Sequence, residues 1–168
     1  GRMAPEKNLE QVLRTYEALR FLGSSFKLVM VGDGPLREQF QHRFPSIIFP
    51  GMLSQAELAV YYASSDLFLF PSQTETFGNV TLEALASGIP VLAFDCAAAR
   101  DWVQPGVNGW LVPEAHSDGF VDQALAIFKS PSLLEQVSLS TRQQVVHLDW
   151  DQISEQVESV FWDAIRMK

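Results

Sequence analysis

The chain has 168 residues, enough for one domain with its own core. Hydrophobic residues at 47% and charged residues at 19% exclude a disordered or fibrous chain. The net charge of −8 argues against a groove for nucleic acid, which needs a basic field, but a few local cations and backbone amides can still hold a diphosphate.

A single cysteine, Cys96, rules out an intrachain disulfide or a zinc–thiolate cluster, and it reads as a small buried thiol. No run approaches the roughly 18–20 apolar residues of a membrane span, and no signal peptide is visible. The chain opens at Gly1-Arg2 without an initiator methionine or a first strand. We therefore expect an excised piece of a longer protein.

In chain order, Leu9, Val12, Leu13, Tyr16 and Leu19 share one face of a helix opened by Pro5 and closed near Gly23. A strand is expected over 26–31, running into the turn Gly32-Asp-Gly-Pro35. A short strand over 47–49 precedes Gly51. Ser54 caps a helix reaching Tyr62, with Glu57 at the capping-box position. A buried strand over 66–70 ends at Pro71. A helix over 77–87 closes at Gly88, and a strand covers 90–94. A helical turn near Arg100 and a strand over 110–112 follow. Helices are expected near 117–129, 131–146 and 151–166. Continuous apolar strands separated by helices imply a doubly wound α/β fold, a parallel sheet covered on both faces. We find no internal repeat or interdomain linker, so residues 1–168 read as one domain. Such a fold binds ligands beyond the carboxyl ends of its strands. The loops there are 32–35, 50–54, 71–78 and 95–100.

The most informative run is Glu75-Thr-Phe-Gly-Asn-Val-Thr-Leu-Glu83. Gly78 and Asn79 fall in the first turn of the expected helix, where free amides favour an anion. Glu75 precedes the helix and Glu83 lies within it. Eight helical steps span about 12 Å, comparable to a nucleoside diphosphate from sugar to ribose. The two carboxylates could accept hydroxyl hydrogen bonds from opposite ends of one ligand. They also repel phosphate, so a counter-charge is required. Arg2 and Lys7, at the presumed end of a first strand, supply it as a fork of donors and a point charge. The residues alone leave other readings open. Glu75 could cap the helix, Glu83 could be a solvated side chain, and Arg2 and Lys7 could be plain surface cations.

Read together, the motifs run in one order. They are Gly1-Arg-x4-Lys-Asn8, Val31-Gly-Asp-Gly-Pro35, Gly51, Pro71-Ser72, Glu75-x7-Glu83, Ala86-Ser-Gly-Ile-Pro-Val91 and Gly106-Val-Asn-Gly-Trp-Leu-Val-Pro113. This order resembles the C-terminal domain of family-4 retaining glycosyltransferases (glycosyl transferases group 1) of the GT-B architecture, over nearly the whole chain. The resemblance implies a Rossmann-like domain that binds a nucleoside diphosphate sugar, GDP-mannose or a UDP-hexose, with an N-terminal domain elsewhere in the protein. It implies hexose transfer with retention to a lipid or saccharide acceptor, in bacterial cell-envelope or polysaccharide synthesis. It places the protein in the cytoplasm, at the inner face of the membrane where the acceptor is a lipid.

By the same resemblance, Arg2 and Lys7 hold the donor diphosphate and Glu75 contacts the transferred sugar. Glu83 contacts the ribose hydroxyls. The backbone of Thr76, Phe77, Gly78 and Asn79 lies along sugar and phosphate. Met52 and Leu53 flank the base beside Gly51, and Gly32 opens a turn at the donor cleft. Trp150 and the final helix cross back toward the N-terminal domain. One departure stands out: the family's Gly-Gly-x-Pro-Glu-like segment is here Cys96-Ala-Ala-Ala-Arg-Asp101.

No cofactor or metal is expected, because His42, His116 and His147 are scattered without ligand spacing. Asp33 could bind ribose, although turn chemistry explains it as well. Trp102, Trp110, Trp150 and Trp162 read as packing residues, with Phe161 and Trp162 also candidates to face the absent domain. The rival functions are half of a sugar-nucleotide epimerase, a non-catalytic sugar-nucleotide-binding module, or an α/β domain that binds no nucleotide.

Overall fold

The computed structural model describes residues 1–23, 25–74 and 78–145. The helix expected over 151–166, with His147, Trp150, Phe161 and Trp162, lies outside the described residues. So do Glu75, Thr76 and Phe77.

Helices and strands alternate along the chain. The strands are β1 Val29–Val31, β2 Ile48–Gly51, β3 Phe68–Phe70, β4 Val91–Phe94 and β5 Gly109–Val112. The helices are α1 Glu10–Phe21, α2 Arg37–Arg43, α3 Gln55–Ala63, α4 Asn79–Ala86, α5 Ala97–Trp102, α6 Ser117–Phe128 and α7 Pro131–Val145.

All strand pairs are parallel. β1 pairs with β2, and β3, β4 and β5 form a second ladder in that order. The first residues extend the β1 ladder on its other edge. The Gly1 nitrogen donates to the Val31 carbonyl at 2.7 Å, Arg2 bridges Asp33 in parallel, and the Met3 amide donates to the Asp33 carbonyl at 2.7 Å. Thus one ladder grows outward from residues 1–3 through β1 to β2. After α3 the chain returns and grows the other way, from β3 to β5. The seam lies where residues 1–8 meet the loop after β3. There the Asn8 side-chain amide reaches the Pro71 carbonyl at 3.4 Å, and the Thr74 hydroxyl reaches the Glu6 carbonyl at 3.4 Å. A seam where strand order reverses is where open α/β sheets bind ligands.

The sequence of β4 explains the two-sided cover. Its four residues are fully buried, and side chains alternate faces along a strand. Leu92 and Phe94 pack with Trp110, Val112 and the α6 residues Phe120, Ala124 and Ile127. Val91 and Ala93 pack on the opposite face with Ala84 and Leu85 of α4 and Ala99 of α5. A third cluster ties α1 and α2 to β1 through Leu13, Tyr16, Met30, Phe40 and Phe44. Trp110 is buried as a packing residue, as expected.

Local signals hold with shifts at the ends. Ser54 and Glu57 form the expected capping box of α3. The first helix begins as a short 3₁₀ turn, Pro5–Lys7, before α1. The strand expected from residue 26 begins at Val29, because β2 offers pairing partners only from Ile48. The helix expected from residue 77 begins at Asn79. Gly78 is its N-cap in a left-handed conformation (φ 73°) rather than part of its first turn.

Candidate functional site

The site is built at the carboxyl ends of the strands, and close backbone approach requires its glycines. Residues 1–3 run directly over the turn after β1. A Cβ on Gly32 would lie 1.8 Å from the Gly1 carbonyl oxygen, and one on Gly34 would lie 2.4 Å from the Met3 oxygen. Both have positive φ, 125° and 153°. Glycine is the residue that meets both demands at low cost. Asp33 between them serves the turn: its carboxylate accepts from the Gly34 amide at 2.7 Å and from Arg37 at 3.3 Å. Turn chemistry thus accounts for Asp33.

The Arg37 guanidinium also lies against Gly51, whose added Cβ would come within 3.3 Å of its terminal nitrogens. The Gly51 carbonyl in turn accepts from the Gly32 amide at 2.9 Å. The turn after β1 and the loop after β2 are therefore stitched together. The loop presents Met52, which is 75% exposed, and the half-buried Leu53.

Arg2 projects from the end of the first segment. Its side chain is 70% exposed and 3.7 Å from the Glu6 carboxylate, a distance at which an exposed ion pair adds little stability. Lys7 is half-buried at the end of the 3₁₀ turn. Asn8 follows in a left-handed conformation (φ 51°), turning its side chain toward Pro71. The Glu83 carboxylate and the Lys7 ammonium both act electrostatically at the Gly1 nitrogen. Lys7 and Glu83 therefore both lie close enough to Gly1 for their charges to be felt there.

Glu83 is exposed on α4 and accepts a hydrogen bond from the Tyr62 hydroxyl of α3 at 3.2 Å. At the N-terminus of the same helix, Gly78 is buried against α5. A Cβ there would sit 2.7 Å from the Ala98 methyl. Arg2 and Lys7 lie on the segment beside the Gly32 turn after β1, Met52 and Leu53 on the loop after β2, and Gly78, Asn79 and Glu83 at and after the start of α4, which follows β3. Glu75, Thr76 and Phe77 are not described. Sequence reading missed Tyr62, Arg37 and Ala98, because each acts across a tertiary contact. No group of three or more His, Cys, Asp or Glu residues able to hold a metal occurs among the described residues.

The departing segment, Cys96 to Arg100, holds a left-handed residue without glycine. Ala97 takes φ 45°, a left-handed value that costs a non-glycine residue about 1–2 kcal/mol. Burial pushes the Cys96 thiol up, away from the thiolate a nucleophile needs. We expect Ala97→Gly to stabilise the protein by about 0.5–1 kcal/mol. Relief of strain exceeds the added entropy of the unfolded chain, which is about 0.4–1 kcal/mol. Urea unfolding checks this, and a loss of stability would show that Ala97 is not strained.

The frame is therefore a doubly wound α/β domain whose switch point gathers cations, a helix N-terminus and a carboxylate. The profile of the family described as glycosyl transferases group 1 matches residues 1–130. The chain belongs to that family. It is 42% identical over 120 residues to a GDP-mannose-dependent alpha-mannosyltransferase of Mycolicibacterium smegmatis, covering 71% of this chain and 30% of that protein. It is 32% identical over 166 residues to a protein of the same name from Mycobacterium tuberculosis, covering 99% of this chain and 42% of that one. The chain thus spans less than half the length of these relatives. Among solved structures, a TarM variant of S. aureus in complex with UDP superposes with a TM-score of 0.83 at 20% identity, over 96% of this chain and 34% of that one. That likeness establishes the fold, the Rossmann-like half of a GT-B glycosyltransferase. No helix among the described residues is long and apolar enough to cross a membrane.

Proposed function

We propose that this chain is the C-terminal donor-binding domain of a retaining glycosyltransferase. The full-length protein transfers a hexose from a nucleoside diphosphate sugar to a lipid or saccharide acceptor. The observation that carries the reading is the seam itself. The segment from Arg2 to Asn8 is held between the glycine turn after β1 and the loop after β3, the loop that leads into α4 and Glu83.

In this reading Arg2 and Lys7 stabilise negative charge as it develops on the departing diphosphate. Preorganised charge of this kind is usually the largest catalytic contribution. Glu75 orients the transferred sugar, and the backbone of Thr76, Phe77, Gly78 and Asn79 lies along sugar and phosphate. Glu83 accepts from the ribose hydroxyls. Met52 and Leu53 flank the base, and Gly32 keeps the cleft open. The two cations neutralise the diphosphate, so the scheme needs neither a metal ion nor a cofactor.

GDP-mannose is the favoured donor, because two relatives are named for its use; a UDP-hexose is the alternative. The acceptor and any catalytic base come from an N-terminal domain of the same protein. The isolated chain then binds donor weakly and transfers little or nothing. A lipid acceptor would put the protein at the cytoplasmic face of the membrane as a peripheral protein.

The test supplies full-length protein with GDP-mannose or UDP-glucose and candidate acceptors. NMR then reads the anomeric configuration of the product. A product of the donor's own configuration supports the reading. An inverted product, or robust transfer by residues 1–168 alone, contradicts it.

A further inference from the structure

Tyr62 stands outside every residue assigned above. It lies near the end of α3, 21 residues before the carboxylate its hydroxyl touches. Two contacts fix it. Its ring meets Phe68 of β3 edge-on, with centroids 6.0 Å apart and planes at 66°. Its hydroxyl donates to one oxygen of Glu83, Oε2, at 3.2 Å.

Glu83 needs such a contact if it is to hold a ligand. It is an exposed glutamate in a helix, with rotamer freedom to lose on binding. An ionised carboxylate has two oxygens and about four acceptor positions. Tyr62 occupies one position on Oε2 and leaves the carboxylate able to accept further hydroxyl hydrogens. Burial and the adjacent Glu83 charge both push the Tyr62 phenol up, so it remains a protonated donor through the physiological range.

We propose that Tyr62 is a positioning residue: it fixes the Glu83 carboxylate so that the pair of vicinal ribose hydroxyls on the nucleotide meets a preset acceptor. This rests on the reading of Glu83 as the ribose contact given above. A preset acceptor binds more tightly because less side-chain freedom is lost at the moment of binding. The effect is confined to ligands that carry the hydroxyls. Ring packing on Phe68 is a separate, structural contribution, and phenylalanine retains it.

The experiment is calorimetric titration of the full-length protein with GDP and UDP and with their 2′,3′-dideoxy analogues. Wild type, Tyr62→Phe, Glu83→Ala and the double variant are compared. We expect wild type to prefer the ribonucleotide. Tyr62→Phe should weaken ribonucleotide binding about three- to tenfold, the range for ordering one flexible side chain at the moment of binding, and leave the dideoxy analogue within about twofold. In the Glu83→Ala background, where no side-chain acceptor is left for the hydroxyl, it should add no further loss. Equal losses for both ligands, or no loss for either, overturn the positioning role while the wild-type preference keeps the ribose reading intact. A wild type that shows no preference, or binds neither nucleotide, overturns the ribose reading and the role of Tyr62 with it.

Discussion

Replacing Arg2 by alanine in the full-length protein is expected to lower the rate of sugar transfer by about 10²–10³-fold while leaving folding stability within about 0.5 kcal/mol of wild type. The two halves of this result have separate causes. The Arg2 guanidinium is largely in water, and Glu6, 3.7 Å away, is itself exposed. Losing an exposed pair leaves no buried charge behind and costs little. In the proposed chemistry, however, Arg2 lies beside the diphosphate that departs. Charge appearing there during the reaction is met by donors already in place. Removing one therefore acts on kcat more than on KM. Initial rates and a thermal melt on the same variant check both halves. A loss of stability matching the loss of rate would make Arg2 a structural residue instead.

The second large effect is expected at Gly32. Gly32→Ala should destabilise the protein by about 2–4 kcal/mol and weaken nucleotide binding along with it. Two costs combine. The residue needs φ 125°, which alanine resists. The new methyl would also meet backbone at 1.8 Å, at the carbonyl of Gly1. Backbone cannot swing aside like a side-chain tip. The segment carrying Arg2 and Lys7 must move, and the site moves with it. Gly23→Ala is the internal control. Its φ is 70°, but its added Cβ would meet nothing within 4 Å, so the strain of about 1 kcal/mol stands alone. Chemical unfolding of the two variants separates strain from collision. Equal losses at both positions would mean that the close approach at Gly32 does not matter.

The fold was legible in the sequence because its signals are local. The buried run from Val91 to Phe94 needs only continuous hydrophobicity, and its burial on both faces follows. The α3 cap needs only Ser54 and Glu57 three residues apart. Motif order identified the family, and residues 1–130 match it. Boundaries were less legible where tertiary pairing sets them. Phe26 reads as a strand residue, yet β1 starts at Val29, where its partner starts. Gly78 reads as helix but takes a left-handed cap, because α5 presses Ala98 against it.

The candidate site divides the same way. Arg2, Lys7 and Glu83 can be named from the family resemblance, because residue type and spacing alone leave them open to plain surface roles. That Asn8 reaches Pro71, or that Tyr62 reaches Glu83, depends on loops and helices brought together by the sheet. No periodicity in the chain records those contacts. The Cys96 to Arg100 segment lay between these cases. Its lost glycines were visible, but the left-handed Ala97 became visible only in three dimensions.

The most direct test of the central claim is calorimetric titration of the full-length protein with GDP-mannose, a UDP-hexose and the corresponding free nucleosides, repeated on Arg2→Ala and Lys7→Ala. The account predicts that at least one nucleotide sugar binds. It also predicts that each substitution weakens that binding or lowers turnover about 10²–10³-fold, while the free nucleoside is held equally by all three proteins. Binding of no nucleotide sugar, or full binding and turnover without both cations, would contradict a donor site at this seam.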